Sequence, residues 1–293
     1  MSEGTSVTAQ PWDLVAEGYA AAAATVLGPF AERALEFVTL EPDSIVVDVA
    51  AGTGLLSLAA AAAGARVDAI DVSAPMIEQL TAAAERAGRT TITAQVGDGQ
   101  DLPYPDGRFH AGFSLFGLMF FADRPQGFAE LRRVLRPGAT AVVSAWAPAV
   151  DSSLMRALFG ALSAGDPNAA LPQPNSRGLE NPAVFAAEMR AAGFDAVTIR
   201  PHTVEVSFPN AAALWDTMTR SSAPLTTLRH EVGEAEWQRR TDAAVEHLTV
   251  TYRANTALST TALFGIGTVP PGLNDDCPPP KPATGSRSTV RSA

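Results

Sequence analysis

The sequence predicts an α/β protein with a parallel sheet that carries helices on both faces. Five apolar runs, near residues 44–49, 66–71, 91–96, 109–116 and 139–146, alternate with segments of helical periodicity, a pattern typical of parallel sheets. The first run, IVVDVAAGTG, passes directly into a glycine-rich turn. Such a turn lies at the carboxyl edge of the sheet, where open α/β folds bind ligands. Two further strands are predicted near residues 195–207 and 258–267.

The turn after the first strand indicates a cofactor that contains adenosine. Its pattern is D-x-A-x-G-x-G, whereas pyrophosphate binders follow G-x-G-x-x-G, and Ala50 takes the first small position. About twenty residues later the second strand ends at Asp71, where such folds offer a carboxylate to ribose hydroxyls. These features alone leave open a dinucleotide and S-adenosylmethionine.

Four motifs in order distinguish the two cofactors: DVAAGTG, AIDVSAPMI, VGDGQDLPYPDGRF and ELRRVLRPG. Together they resemble the class I S-adenosylmethionine-dependent methyltransferases, in the branch that includes the ubiquinone and menaquinone C-methyltransferases and many natural-product enzymes. The resemblance covers residues 10–146 closely and the remainder loosely. It implies a Rossmann-like, doubly wound sheet of seven strands whose last strand is antiparallel. It also implies S-adenosylmethionine as cofactor and S-adenosylhomocysteine as product.

The resemblance carries cofactor contacts over to positions in this chain. In similar enzymes the turn packs against the methionine part of the cofactor, and the backbone at the end of the fourth strand holds its ammonium group. Other positions bind the ribose, pack on the adenine or read the adenine edge. The implied positions are Ala50, Gly52, Gly54 and Phe116 on the methionine side, Asp71, Met76, Asp98, Gly99 and Gln100 on the adenosine side, and Asp48 and Tyr19 as cofactor-binding residues without an assigned part of the cofactor. Plain alternatives stay open, since Asp98 suits a turn between glycines and Met76 lies at core-helix spacing.

The predicted organisation is a methyltransferase domain over residues 31–269 with helical additions. Residues 1–30 are expected to form an N-terminal helical lid, with Tyr19 facing the cofactor or simply packing on the sheet. Two insertions, about residues 148–180 and 208–256, contain apolar residues at helical spacing. They predict either a lid over a lipophilic or aromatic small molecule or helices that only bury one another. Residues 270–293 lack aromatic residues and are rich in Pro, Ser and Thr, which predicts a disordered tail.

The sequence is least informative about a general base. Many related O-methyltransferases have a histidine just past the fourth or fifth strand, whereas this chain has FGLMFFAD there. The remaining candidates for a catalytic base are His230 and His247 in the second insertion. A base is needed only where the acceptor must lose a proton, so catalysis is expected to rest mainly on proximity.

Composition excludes several other classes. The formal net charge of −10 opposes binding to nucleic acid, because phosphate backbones are held by clustered Lys and Arg. The single cysteine, Cys277, predicts no disulfide framework and no cysteine-type metal cluster. No leader and no membrane-length apolar run is visible, so a cytoplasmic protein is expected. A homodimer is left open.

The sequence therefore predicts methyl transfer to a small, fairly apolar acceptor, quinone-like or natural-product-like, through an O, N or C atom that the sequence leaves undetermined. Two alternatives are carried forward. One is a methyltransferase-like enzyme that keeps the cofactor as a structural element and promotes a cyclisation or rearrangement. The other is a ligand-binding homologue without catalysis, because fold does not fix function. An NAD-dependent oxidoreductase is the weakest rival.

Overall fold

A computed structural model of the chain describes residues 10–169 and 171–271. The first nine residues of the predicted lid and the predicted tail from residue 272 onward lie outside the described residues. The strands are Ile45–Val49 (β1), Arg66–Asp71 (β2), Ile92–Val96 (β3), Phe109–Leu115 (β4), Leu135–Trp146 (β5), Asp195–Val206 (β6) and Leu258–Thr268 (β7). The helices are Gln10–Leu35 (α1), Leu55–Ala62 (α2), Ala74–Arg86 (α3), Arg124–Val134 (α4), Ser153–Gly165 (α5), Pro182–Ala191 (α6), Ala211–Arg220 (α7), Ala223–Val232 (α8) and Glu234–Thr251 (α9).

The seven strands form one sheet in the order β3-β2-β1-β4-β5-β7-β6. Strands β1 to β5 pair in parallel, and β7 is antiparallel to both of its neighbours, β5 and β6. The strand order reverses between β1 and β4, which is the switch point where folds of this class bind ligands. The predicted seven-stranded sheet with an antiparallel last strand is confirmed.

The start of β5 differs from the prediction. The strand begins at Leu135, ahead of the predicted residue 139, and the RPG segment of residues 136–138 lies within it. Leu135 pairs with Phe109, and the register shifts before Ala111 pairs with Thr140. Gly138 adopts a φ of 77° there. The extra residues are accommodated as a bulge in the strand, a feature that periodicity does not reveal.

Helices cover both faces of the sheet, as predicted. On one face, α1, α2 and α3 contribute Phe30, Leu56 and Leu80 to a buried apolar cluster. On the other face, α4 and α6 contribute Phe128, Leu131 and Phe185. The interior strand β1 is buried along nearly its whole length, as a strand between two helical layers requires.

The remaining helices, α5, α7, α8 and α9, pack around an apolar cluster of their own. Trp215 of α7 stacks on Trp237 of α9 with ring centroids 6.0 Å apart. Leu154 of α5 and Leu248 of α9 are fully buried in the same cluster. The apolar side chains predicted in the second insertion are therefore used largely to bury these helices against one another. None of the helices within the described ranges is long and apolar enough to cross a membrane.

Candidate active site

The turn that follows β1 is a sharp one at the carboxyl edge of the sheet. Ala50, Gly52 and Gly54 all adopt positive φ angles of 58°, 54° and 87°. A Cβ atom on Gly54 would lie 2.6 Å from Cγ of Leu80, so α3 leaves no room for a side chain there. Ala50 adopts this conformation without being glycine, a local strain that often marks a functional site.

Asp71 holds the turn in place from the end of β2. Its side chain is 8% exposed, and its carboxylate accepts the N–H of Gly52 at 2.8 Å and the N–H of Ser73 at 2.9 Å. Burial raises the pKa of this carboxyl group, and the two N–H groups act in the opposite direction. Since each carboxylate oxygen has a second lone pair, Asp71 retains acceptor capacity toward a ligand hydroxyl.

Asp48 is a second buried carboxyl group at this edge. It is 2% exposed, and Oγ of Ser57 in α2 donates to its Oδ2 at 2.6 Å. Burial, with a smaller contribution from the charge of Asp71 and against the Ser57 hydrogen bond, raises the pKa of Asp48 to about 7. The group therefore changes its protonation state near neutral pH and favours a neighbouring cation, which stabilises its charged form.

The segment after β3 is held by its own side chains. Oδ1 of Asp98 accepts the N–H of Gln100 at 2.8 Å, while Oε1 of Gln100 accepts the N–H of Asp123 at 2.7 Å. A Cβ on Gly99 would lie 2.5 Å from the ring of Phe121. The Gln100 side chain thus joins this segment to the start of α4.

These segments enclose one cleft made of three adjoining hollows that share Ala50. The largest of the three hollows encloses about 520 Å³ of empty space, its open mouth included. Nine of the predicted cofactor positions line the cleft: Tyr19, Asp48, Ala50, Gly52, Asp71, Met76, Asp98, Gly99 and Phe116. Gly54 and Gln100 support its walls without lining it. The contacts of all eleven with a cofactor stay a prediction.

The first turns of α1 border the mouth of the cleft. Trp12 meets Phe120 of the short 3-10 helix Leu118–Phe120 edge to face, with ring centroids 5.3 Å apart. Oγ of Ser73 donates to Oδ1 of Asp13 at 2.6 Å. Tyr19 lines two of the hollows, and burial followed by the charge of Asp71 raises its pKa to about 12. Its hydroxyl therefore keeps its proton at neutral pH and is no general base.

Phe116 lies directly after β4 in an unusual backbone conformation. Its φ is 56°, and its N–H donates to Oγ of Ser144 at 3.1 Å. Its ring stacks on Trp146 at the end of β5, with centroids 4.1 Å apart. The stack and the Ser144 hydrogen bond fix the backbone where β4 reaches the cleft.

Several residues that line the cleft were not predicted as site residues: Trp12, Val72, Leu115, Gly117, Phe120 and Phe121. Four of them lie between the end of β4 and the start of α4, in the segment LFGLMFF. Gly117 is needed because a Cβ there would lie 2.3 Å from that of Ala50. The feature of the sequence that could have identified these four residues is the apolar, aromatic composition of LFGLMFF, which contains no histidine.

The two candidate catalytic histidines lie apart from the cleft. His230 is exposed near the end of α8. His247 lies on α9 against α5, so that a Cβ on Gly160 would be 3.2 Å from its Nε2. Neither lines any of the three hollows, and their catalytic role stays a prediction.

The charges at the cleft are all negative. The charged residues among its described lining are Asp48, Asp71 and Asp98, with no Lys, Arg or His beside them. The N–H of Gly52 donates to Asp71, so it is not free to bind a phosphate. Like charges repel strongly where solvent is excluded, and these carboxyl groups therefore disfavour a pyrophosphate and favour a cationic ligand.

Comparison with known proteins agrees with this geometry. The family model described as a methyltransferase domain matches residues 46–138, which run from β1 to the start of β5. Nocamycin O-methyltransferase of Saccharothrix syringae is 30% identical over 219 residues, covering 69% of this chain and 78% of that protein. Demethylmenaquinone methyltransferase of Deinococcus radiodurans is 35% identical over 163 residues, covering 51% of this chain and 67% of that protein.

Other matches are shorter or concern the fold alone. The chain spans 46% of the length of three further relatives, to which it is 36% identical over 128 residues. Among solved structures, the YcgJ protein of Bacillus subtilis aligns with a TM-score of 0.54 and 16% identity, covering 84% of this chain and 98% of that one. At this identity the likeness shows a shared fold.

Proposed function

This chain belongs to the class I S-adenosylmethionine-dependent methyltransferases, and we propose that it transfers a methyl group from S-adenosylmethionine to a small, mainly apolar acceptor. The observation that carries the proposal is the anionic cleft, with the buried carboxyl groups of Asp48 and Asp71 at the switch point of the sheet. Bound there, S-adenosylmethionine supplies an electrophilic methyl group on a cationic sulfur.

The residues present fit this cofactor. Asp71 accepts two backbone N–H groups and keeps lone pairs for ribose hydroxyls. Asp48 offers a carboxyl group that a nearby cation would ionise. Met76, which is 1% exposed, provides an apolar surface for a planar base.

The contribution of the protein to catalysis is then orientation and exclusion of water. Trp12, Phe116, Phe120 and Phe121 give the cleft an aromatic wall. The neutral Tyr19 hydroxyl can donate a hydrogen bond to the substrate atom that accepts the methyl group, but it does not take a proton from the substrate. We propose that α1, together with the helices of the two insertions, acts as the lid that keeps water from the reacting atoms.

The acceptor is proposed to be uncharged and lipophilic or aromatic. The described lining of the cleft contains no Lys, Arg or His that could bind an anionic group. Two relatives are named for methyl transfer, one to nocamycin through oxygen and one to demethylmenaquinone. These names support a natural-product or quinone-like acceptor as the first class to test.

Calorimetric titration with S-adenosylmethionine, S-adenosylhomocysteine and NADH tests the cofactor. We expect micromolar binding of the two adenosyl ligands and none of NADH. Asp71→Asn should bind them at least tenfold more weakly, since a hydrogen bond to a charged group contributes roughly 1.5–3 kcal/mol. Asp101→Asn, at an exposed carboxylate two residues beyond Gly99, is the matched control and should bind like the natural chain.

The melting temperature of Asp71→Asn must be measured beside its affinity, because the substitution also disturbs the hydrogen bonds to Gly52 and Ser73. Binding of NADH alone, or of none of the three ligands, would contradict the proposed cofactor. Where S-adenosylmethionine binds, incubation with quinols and phenols shows whether it is consumed. Conversion of an acceptor without consumption of the cofactor would favour the cyclisation alternative.

A further inference from the structure

We propose that Asp13 is a positioning residue that latches α1 over the bound cofactor through Ser73, an inference that rests on the proposed function. Asp13 lies in the first turn of α1, and Oγ of Ser73 donates to its Oδ1 at 2.6 Å. This hydrogen bond joins two elements 60 residues apart in sequence. No motif of the sequence marks Asp13 for such a role.

Ser73 is the centre of a short hydrogen-bonded chain that ends at the cofactor site. Its hydroxyl accepts the N–H of Met76 at 3.3 Å and caps α3, which leaves the hydroxyl proton for Asp13. Its own N–H donates to Oδ1 of Asp71, and Oδ2 of Asp71 accepts the N–H of Gly52. Asp13 is therefore connected through one residue to the proposed ribose carboxylate.

Packing around this chain places α1 against the same residues. Val15 and Ala16, one turn along α1, are buried with Met76 and with Ala223 at the start of α8. Trp12 closes the other side of the mouth by its contact with Phe120. Trp12 and Tyr19 line the cleft, so this part of α1 lies beside the site of an adenosyl ligand.

Among the described residues, the hydrogen bond between Asp13 and Ser73 is a polar contact of this closed arrangement. Ser73 is fully buried, so when α1 lifts away its hydroxyl loses a carboxylate acceptor. Asp13 itself is exposed, and water competes for its oxygens, which limits the contribution of the hydrogen bond. The latch is thus a limited restraint on α1, which we expect to slow dissociation of the cofactor and still to open in each catalytic cycle.

The experiment compares Asp13→Ala, Asp13→Asn and Leu14→Ala with the natural chain. Asn keeps an Oδ1 that accepts the Ser73 hydroxyl, while Leu14 is an exposed neighbour, 40% accessible to solvent, outside the latch. We expect Asp13→Ala to release S-adenosylhomocysteine about 3- to 10-fold faster, and to bind it more weakly by a similar factor. Asp13→Asn should stay within about twofold of the natural chain, and Leu14→Ala should be unchanged.

Two further measurements separate a latch from general destabilisation. Hydrogen exchange across the first three turns of α1 should slow on addition of S-adenosylhomocysteine in the natural chain and in Asp13→Asn, but not in Asp13→Ala. In a double-mutant cycle with Ser73→Ala, removal of Asp13 should have no further effect on the dissociation rate. If Ser73→Ala does not fold, the difference in S-adenosylhomocysteine dissociation rate between Asp13→Ala and Asp13→Asn is the deciding measurement.

The outcomes are distinguishable from a failure of the proposed function. If the natural chain does not bind S-adenosylhomocysteine, the proposed function fails and the latch with it. If the natural chain binds it and Asp13→Ala releases it at the natural rate, the latch is overturned and the cofactor site stands. Equal acceleration by Asp13→Ala and Asp13→Asn would overturn it as well, because Asn preserves the acceptor.

Discussion

Asp48 of β1 has a buried carboxyl group beside α2, and burial raises the free energy of its charged form. The ordinary pKa of the group is 3.8 and burial raises it to about 7 in the folded chain. Between these two values the folded protein holds a proton that the unfolded chain has released. The free energy of unfolding therefore receives a contribution from Asp48 that is present at low pH and is lost as the pH rises through 7.

Because this contribution to the free energy of unfolding falls as the pH rises, it leads to a prediction for Asp48→Asn, which keeps the size of the side chain and its contact with Ser57. Urea denaturation at pH 5, 6, 7 and 8 should show the variant gaining stability relative to the natural chain as the pH rises, by up to about 1.4 kcal/mol per pH unit. Asp101→Asn is the control for loss of an exposed carboxylate. Stability profiles of the natural chain and Asp48→Asn that run parallel over this range would contradict the raised pKa.

At the same scale, the sequence predicted the polar part of the site better than its apolar wall. Asp48, Asp71 and the turn glycines follow strands directly, so their position at the sheet edge depends on local sequence alone. Trp12 and Phe120 come together although they lie on separate elements, and that contact depends on how α1 crosses the sheet. The hydrogen-bonded role of Gln100 was equally hidden, because it requires Asp123 at the start of α4.

Among the elements, α8 and α9 carry the predicted general bases, His230 and His247. In the structure these helices pack on α5 and α7, and the histidines lie away from the cleft. A catalytic role would require one of the helices to approach the aromatic wall when the acceptor binds. The sequence could not reveal this, since helical periodicity identifies the buried face of a helix and not its neighbours.

The predicted role has a direct kinetic test with an acceptor found in the quinol and phenol panel. Loss of a general base lowers turnover by about 10²–10⁴-fold, so if one of the two histidines is the base, its alanine variant, His230→Ala or His247→Ala, should show such a loss. The double variant provides the check that one histidine does not replace the other. Unchanged turnover across pH in both single variants and in the double variant would remove the two residues from the mechanism and leave proximity as its basis.

For the whole molecule, the parallel sheet with helices on both faces followed from the alternation of strands and helices, and the antiparallel last strand followed from the resemblance of the motifs. The strand boundaries were predicted to within a few residues, apart from β5, where the bulge near Gly138 lengthens the strand. For the helices α5, α7, α8 and α9, the sequence left open whether they form a lid over a small molecule or only bury one another. Long-range packing of this kind depends on shape complementarity that a single sequence does not display.

The cofactor site should stabilise the entire fold when it is filled. At a concentration one hundred times its dissociation constant, S-adenosylhomocysteine adds about 2.7 kcal/mol to the free energy of unfolding. For a domain of this size that corresponds to a rise in melting temperature of about 5–10 °C. Thermal denaturation followed by circular dichroism, with NADH at equal concentration as control, should show the rise with the adenosyl ligand alone. Equal shifts with both ligands would argue against the site.

The insertion of β7 between β5 and β6 has a consequence for the order in which the chain is made. In the described part of the chain β6 pairs with β7, and 62 residues separate the end of β6 at Val206 from the end of β7 at Thr268. At about 5–20 residues per second, the ribosome needs about 3–12 s to make that stretch. During this interval the nascent β6 lacks the strand that it pairs with in the folded chain, so its hydrogen-bonding edge stays unpaired until β7 has been made.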